Sequence, residues 1–141
     1  MSGFLLDTNC VSEVVRKKPE PRVLQWMEAA DESLLFLSVL SLGEIRKGVA
    51  GLPQSGGRTH LETWLELELY ARFAGRILSI DAAISDRWGL LAAEAERKGR
   101  FLSAVDGLLA ATALQWNLTI VSRDVGDFDS TPAAILNPWE A

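Results

Sequence analysis

The chain has 141 residues, 48% of them hydrophobic, and a formal net charge of −5. That length suits one domain with a full core, so residues 1–141 are expected to form a single domain. No apolar run approaches the roughly 18 residues of a membrane span, and the start lacks the basic-then-apolar layout of a secretory leader, so a soluble, cytoplasmic protein with no membrane role is expected. The acid excess argues against a protein that coats nucleic acid by bulk charge, but is compatible with a nuclease whose acids gather at one site.

Taken in chain order, residues 3–6 (GFLL) read as a buried strand, followed by a short helix from Thr8 that breaks at Arg16-Lys17-Lys18-Pro19. Pro21 suits the first turn of a second helix, ending near Ala30. Residues 34–39 (LLFLSV) form the next strand and residues 41–49 the next helix. Pro53-Gln54-Ser55-Gly56-Gly57 is a loop, and a helix with Leu61, Trp64, Leu65 and Leu69 on one stripe follows. Residues 76–80 (RILSI) are a third strand. In the helix over 82–98, Ile84, Trp88, Leu91, Ala92 and Ala95 fit one face of a 3.6-residue period. Residues 106–115 (DGLLAATALQ) are a small-residue helix, 118–122 (LTIVS) a fourth strand, and 134–136 (AIL) fit a short fifth. Strands alternating with helices imply right-handed crossovers and an α/β fold, a three-layer sandwich around a central, mainly parallel β-sheet.

In such sheets ligands collect beyond the carboxyl ends of the strands. Asp7 follows the first strand, Glu44 lies just past the second, Asp124 lies just past the fourth, and Asp106 opens the small-residue helix. Each acid also has a local role open to it. Ser41-Leu42-Gly43-Glu44 has the spacing of a capping box, and Ser103 stands three residues before Asp106. Asp7, Thr8 or Asn9 can cap the first helix, and Arg123-Asp124 can form an Asx turn. Gathered on one rim, however, these carboxylates would repel one another and take up protons unless a cation intervened. All-oxygen donors favour Mg²⁺ or Mn²⁺, which bind through a few carboxylates together with substrate phosphate. A site of this kind suits hydrolysis of a phosphodiester by metal-activated water, with no protein nucleophile. The alternatives are sparse: His60 is the only histidine, and Cys10, the only cysteine, is expected to be a buried hydrophobe.

FLLDTNCVSEVV, LSVLSLGEIRKGV, SAVDGLLAATALQWNLTIVSRDVGDF and the closing NPWE together closely resemble the PIN-domain ribonucleases of bacterial toxin–antitoxin pairs, nearest to the FitB-like branch of the VapC-type toxins. The resemblance spans almost the whole chain and implies a PIN fold, Mg²⁺-dependent RNA cleavage and an acidic metal site at Asp7, Glu44, Asp106 and Asp124, with Asp127 a second candidate for the fourth acid. Thr8 and Ser122 match small hydroxyl positions that orient carboxylates or touch phosphate, Asn9 orders the turn, and Arg46 of GEIR is a candidate phosphate contact. The loop before Asp106 departs from many relatives, which carry proline there. The resemblance further implies a cognate antitoxin that places an arginine or lysine near the metal, assembly on DNA through that antitoxin, and a homodimer. Trp64 and Tyr70 either lie at the dimer interface or fill the core. The cations of RKK (16–18) and RKGR (97–100) read as helix-end charges that complement the dipole.

Two other functions fit parts of the pattern. An aspartyl-nucleophile phosphatase would place its nucleophile after the first strand, but the second acid usual two residues later is here Asn9. A non-enzymatic module could instead use the acids as helix caps and bind a basic peptide at the rim.

Overall fold

The computed structural model describes residues 2–140. β1 (Phe4–Leu6) leads into α1 (Thr8–Ser12), which tightens into a 3₁₀ turn at Glu13–Val15 before α2 (Pro21–Ala29). β2 (Leu35–Ser38) runs straight into α3 (Val39–Ala50). α4 (Gly56–Thr63) continues through a π-helical stretch, Trp64–Leu69, into α5 (Tyr70–Arg72). Then come β3 (Ile77–Leu78), α6 (Ala82–Arg97), α7 (Ala104–Trp116), β4 (Thr119–Val121), a 3₁₀ turn at Val125–Phe128 and β5 (Ile135–Leu136). The five strands form one sheet in the order β3-β2-β1-β4-β5, and every pairing is parallel.

Successive strand residues point to opposite faces, and the sheet uses both. Leu6, Leu35, Leu37 and Val121 join a core with α1, α2, α3 and the π-helical stretch. Leu5, Leu78 and Ile120 join a second core with Ile84 and Leu91 of α6, Leu109 and Ala110 of α7, and Phe128. Each fully buried leucine contributes roughly 1.5–3 kcal/mol through removal from water. Helices on both faces make the expected three-layer α/β sandwich.

The strand order reverses beside β1. β2 and β3 extend to one side of it and β4 and β5 to the other, so the carboxyl ends of β1 and β4 flank a topological switch point. Asp7 leaves this edge with its backbone N–H still bonded to the Val121 carbonyl at 2.9 Å.

Two helix starts differ from expectation, and the open choice at Trp64 and Tyr70 is decided residue by residue. The helix carrying Glu44 begins at Val39 instead of Ser41, because Ser38 keeps extended backbone and its Oγ accepts from the Leu40 N–H at 3.0 Å. Ser41 is therefore inside the helix, its hydroxyl buried without a hydrogen-bond partner, and no capping box ties it to Glu44. Trp64 packs in the core, whereas Tyr70 is exposed. The small-residue helix starts at Ala104, before Asp106. Within it, Gly107 meets a spatial demand: a Cβ there would lie 2.7 Å from the Trp88 indole, so only glycine lets α6 approach α7 beside Asp106.

Candidate active site

Asp7 answers the capping question by doing two things. It is the N-cap of α1, with Oδ1 accepting from the Thr8 N–H at 2.8 Å, a place given above to Asp7, Thr8 or Asn9. Its other oxygen, Oδ2, accepts from the Ser122 hydroxyl at 2.7 Å, across from the end of β4. With each oxygen held by one donor, the carboxylate plane is fixed and the remaining lone pairs are open to the rim. Asp7 is only 8% exposed. Burial pushes its carboxyl up to about 6, the Ser122 and Thr8 hydrogen bonds oppose that rise, and the charges of Glu44 and Asp106 reinforce it.

The other acids come from separate elements. Glu44 stands on α3, exposed, and its Oε1 accepts from the Thr8 hydroxyl at 2.6 Å. Thr8 thus bridges two acids, through its N–H to Asp7 and its O–H to Glu44. Asp106 sits in the first turn of α7, where its N–H donates to Ser103 Oγ at 3.1 Å. Burial raises the Asp106 carboxyl, the Ser103 hydroxyl opposes this, and the charges of Asp127, Glu44 and Asp124 add to the rise. Hydrogen bonds through Thr8, Ser122 and Asn9 tie Asp7, Glu44 and Asp124 together, and the charges of Asp127, Glu44 and Asp124 are felt at Asp106, so the five acids share one rim.

Ser122 and Asn9 stitch the β1 and β4 ends together. Ser122 Oγ accepts from the Asp124 N–H at 3.0 Å and from Asn9 Nδ2 at 3.3 Å while donating to Asp7. Asn9 Nδ2 also donates to Asp124 Oδ2 at 3.0 Å, and its carbonyl oxygen accepts from the Arg123 N–H at 3.4 Å. Asn9 therefore orders more than its own turn, which sequence spacing could not show because its partners are more than a hundred positions away.

Arg46 is not gathered with the acids. Its guanidinium is paired with Glu66 at 2.8 Å, bracing α3 against the helix beyond the loop. His60 is exposed on α4. Cys10 is fully buried, and burial first, then the charges of Asp7 and Glu13, push its thiol up to about 12, which makes it an inert core residue. One buried acid went unread in the sequence. Glu13, 2% exposed, accepts from the Glu20 N–H at 2.8 Å and pairs with Arg16 at 3.2 Å, clasping the start of α2. Its place in SEVV gave no sign of burial.

Among the described residues no Lys or Arg is ion-paired with Asp7, Glu44, Asp106 or Asp127, and Asp124 has only a loose 3.9 Å contact with Arg123. The donors on offer are carboxylate and hydroxyl oxygens, the set that hard divalent cations prefer. Among the described residues no three His, Cys, Asp or Glu side chains form a ready-made cage. That openness fits a cation held through one or two carboxylates, waters and a substrate phosphate.

Comparison with known proteins bears on the fold and the family. The PIN domain family model matches residues 4–133. Toxin FitB of Neisseria gonorrhoeae is 37% identical over 96% of this chain and 98% of its own length. The VapC ribonuclease Y4jK of Sinorhizobium fredii is 35% identical over 97% of this chain and 98% of its own. The crystal structure of FitAcB from Neisseria gonorrhoeae superposes with a TM-score of 0.93 at 36% identity, covering 98% of this chain and 99% of that one. A structure of FitAB bound to an IR36 DNA fragment gives 0.91 at 35% identity, covering 96% and 95%. With the fold, the order of its strands and nearly the full length in agreement, the chain belongs to the PIN-domain family.

Proposed function

We propose that this protein is the toxin of a type II toxin–antitoxin pair, an endoribonuclease that hydrolyses RNA phosphodiester bonds at the acidic rim over β1 and β4. The observation that carries the reading is the convergence of Asp7, Glu44 and Asp106: the charges of Glu44 and Asp106 raise the proton affinity of Asp7, that of Glu44 raises the proton affinity of Asp106, and among the described residues no Lys or Arg is ion-paired with any of the three. PIN-domain ribonucleases use a divalent metal, and Mg²⁺ or Mn²⁺ is the ion this donor set fits, with Asp7 and Asp106 as the direct ligands and Glu44 and Asp124 or Asp127 completing the acidic shell. When bound, the cation would polarise the phosphate and acidify the attacking water.

The chain's own residues prepare that event. Thr8 and Ser122 hold the two Asp7 oxygens, so the carboxylate needs no reorientation on binding. With its carboxyl near 6, Asp7 releases its proton readily close to neutrality once a cation is present. The Thr8 hydroxyl fixes Glu44, and Asn9 holds Asp124 and the Arg123 N–H in one turn. Thr8 and Asn9, both half-buried, would line the approach by which substrate phosphate reaches the acids, whereas Ser122 is fully buried behind Asp7 and acts only through it, and Arg46 would have to leave Glu66 to join them.

An inhibitory antitoxin segment would use the same rim, with an arginine or lysine supplying the missing positive charge. A groove lined by Val39, Leu40, Gly43, Leu52 and Val105 leads to Glu44 and would take its apolar side chains. DNA would be engaged through that antitoxin, and a homodimer would use the exposed Leu67 and Tyr70.

Incubation of purified protein with labelled single-stranded RNA, in EDTA or with Mg²⁺ or Mn²⁺, tests the reading. Internal cleavage with either cation and none in EDTA is expected. Metal-independent cleavage, or release of phosphate from small monoesters without RNA cleavage, would overturn it.

A further inference from the structure

Phe101 is the most exposed of the large hydrophobic side chains described, at 89%. It lies in the loop Lys98-Gly99-Arg100-Phe101 between α6 and α7, and the loop is held in a defined shape. Gly99 takes the left-handed conformation (φ 65°), the Gly99 N–H donates to the Glu96 carbonyl and the Arg100 N–H to the Ala95 carbonyl at 2.8 Å, a Schellman close to α6. Leu102 turns inward, toward Gly107 and Trp88, so its neighbour Phe101 turns out.

The loop belongs to the acidic rim. Phe101 is two residues from Ser103, at most about 7 Å between α-carbons, and Ser103 caps the turn that carries Asp106. On its other side Arg100 reaches Asp129 at 3.7 Å and Lys98 donates to the Ser130 carbonyl at 3.4 Å, joining the loop to the segment that bears Asp127. An aromatic ring in water, two cations beside it and a phosphodiester-cleaving site within a nucleotide's reach form the combination by which proteins hold unpaired RNA. The ring stacks on a base and the cations meet flanking phosphates.

We propose that Phe101 is a stacking platform for an unpaired base next to the phosphate held at Asp106, and that Lys98 and Arg100 meet the neighbouring backbone. The proposal rests on the ribonuclease reading above. Phe101 is then a positioning residue that sets which nucleotide flanks the cut, and a single-stranded substrate is required.

Two readouts test it. Binding of a fluorescent single-stranded RNA in EDTA, followed by anisotropy, should weaken roughly tenfold or more in Phe101→Ala and Phe101→Leu and stay near wild type in Phe101→Trp, since stacking needs a ring. In cleavage assays with Mg²⁺ or Mn²⁺ the same variants should raise KM and leave kcat at saturation unchanged. An abasic nucleotide walked along the RNA should find one position where wild type falls to the level of Phe101→Ala and the variant loses nothing more. Equal RNA binding by wild type, Phe101→Ala and Phe101→Leu would overturn the proposal, and so would a changed oligomeric mass with binding unaltered, which would put Phe101 in a protein interface. Ring-dependent binding without any cleavage would uphold the platform and sink the ribonuclease reading alone.

Discussion

Asp7 and Asp106 face the same rim from different supports. Asp7 is fixed by side-chain and backbone donors on both of its oxygens and is almost fully buried at the junction of two strands. Asp106 is half-buried in the first turn of α7, with its backbone capped by Ser103 and its place set by Gly107 packed under Trp88. The difference separates two ways of building one site. At the strand junction, hydrogen bonds orient the group; at the helix end, packing of the helix does so. Substitutions should therefore act through donors on one side and through volume on the other.

The largest effect is expected at Asp7. Asp7→Asn should lower RNA cleavage by roughly a hundredfold to a thousandfold, the scale for loss of a charge-organising group. The same change should stabilise the metal-free fold at neutral pH. A carboxyl raised from 3.8 to about 6 binds more protons folded than unfolded, so stability falls as pH rises between those values and stays low above them. The penalty at pH 7 is on the order of 3 kcal/mol. Thermal melting in EDTA across that window should show the decline in wild type and much less of it in Asp7→Asn. A flat wild-type profile would mean that Asp7 is not desolvated as described.

Ser122→Ala comes next. It removes the donor to Asp7 Oδ2 and the acceptor for Asp124 and Asn9, so cleavage should drop roughly ten- to a hundredfold. Because that hydrogen bond lowers the Asp7 carboxyl, its loss should move the acid limb of the pH–rate profile to higher pH. An unshifted limb would separate Ser122 from Asp7. On the helix side, Gly107→Ala would press a methyl group into a rigid indole, and overpacking of this kind costs about 1–3 kcal/mol. Denaturant melts measure it, and a neutral result would show that Trp88 can move aside. The smallest effect belongs to Arg46→Ala. Its exposed pair with Glu66 is worth at most about 1 kcal/mol, and cleavage should stay within roughly threefold of wild type.

Much of this arrangement was legible in the chain because period and punctuation are local. The apolar face of the helix over 82–98 and the cap at Ser103 could be read directly, and in the structure Ile84, Leu91 and Ala95 are buried and Ser103 caps α7. The Ser41 box failed because two N-cap serines compete, and the one ending the strand wins when its backbone is already extended. The acids could be assigned to one rim because three of them follow strand ends and Asp106 opens a helix. What could not be read was the way long-range partners share donors: Thr8 divides itself between Asp7 and Glu44, and Asn9 spans to Ser122 and Asp124. Those bonds exist only once β1 and β4 are neighbours. For the same reason the preference for Asp124 over Asp127 as the fourth acid rested on the resemblance alone. In the fold they take different places, Asp124 bonded to Asn9 and Asp127 the acid whose charge acts most strongly on Asp106.

The proposed function requires the strand-junction acid and the helix-end acid to work as one unit. Cleavage of labelled single-stranded RNA by Asp7→Asn, Asp106→Asn and the double variant, at saturating Mg²⁺ or Mn²⁺, tests it most directly. Groups acting together are strongly non-additive, so the double variant should be about as slow as the slower single variant. Losses that multiply, or a single variant that keeps the wild-type rate, would show that the two acids do not act as one unit.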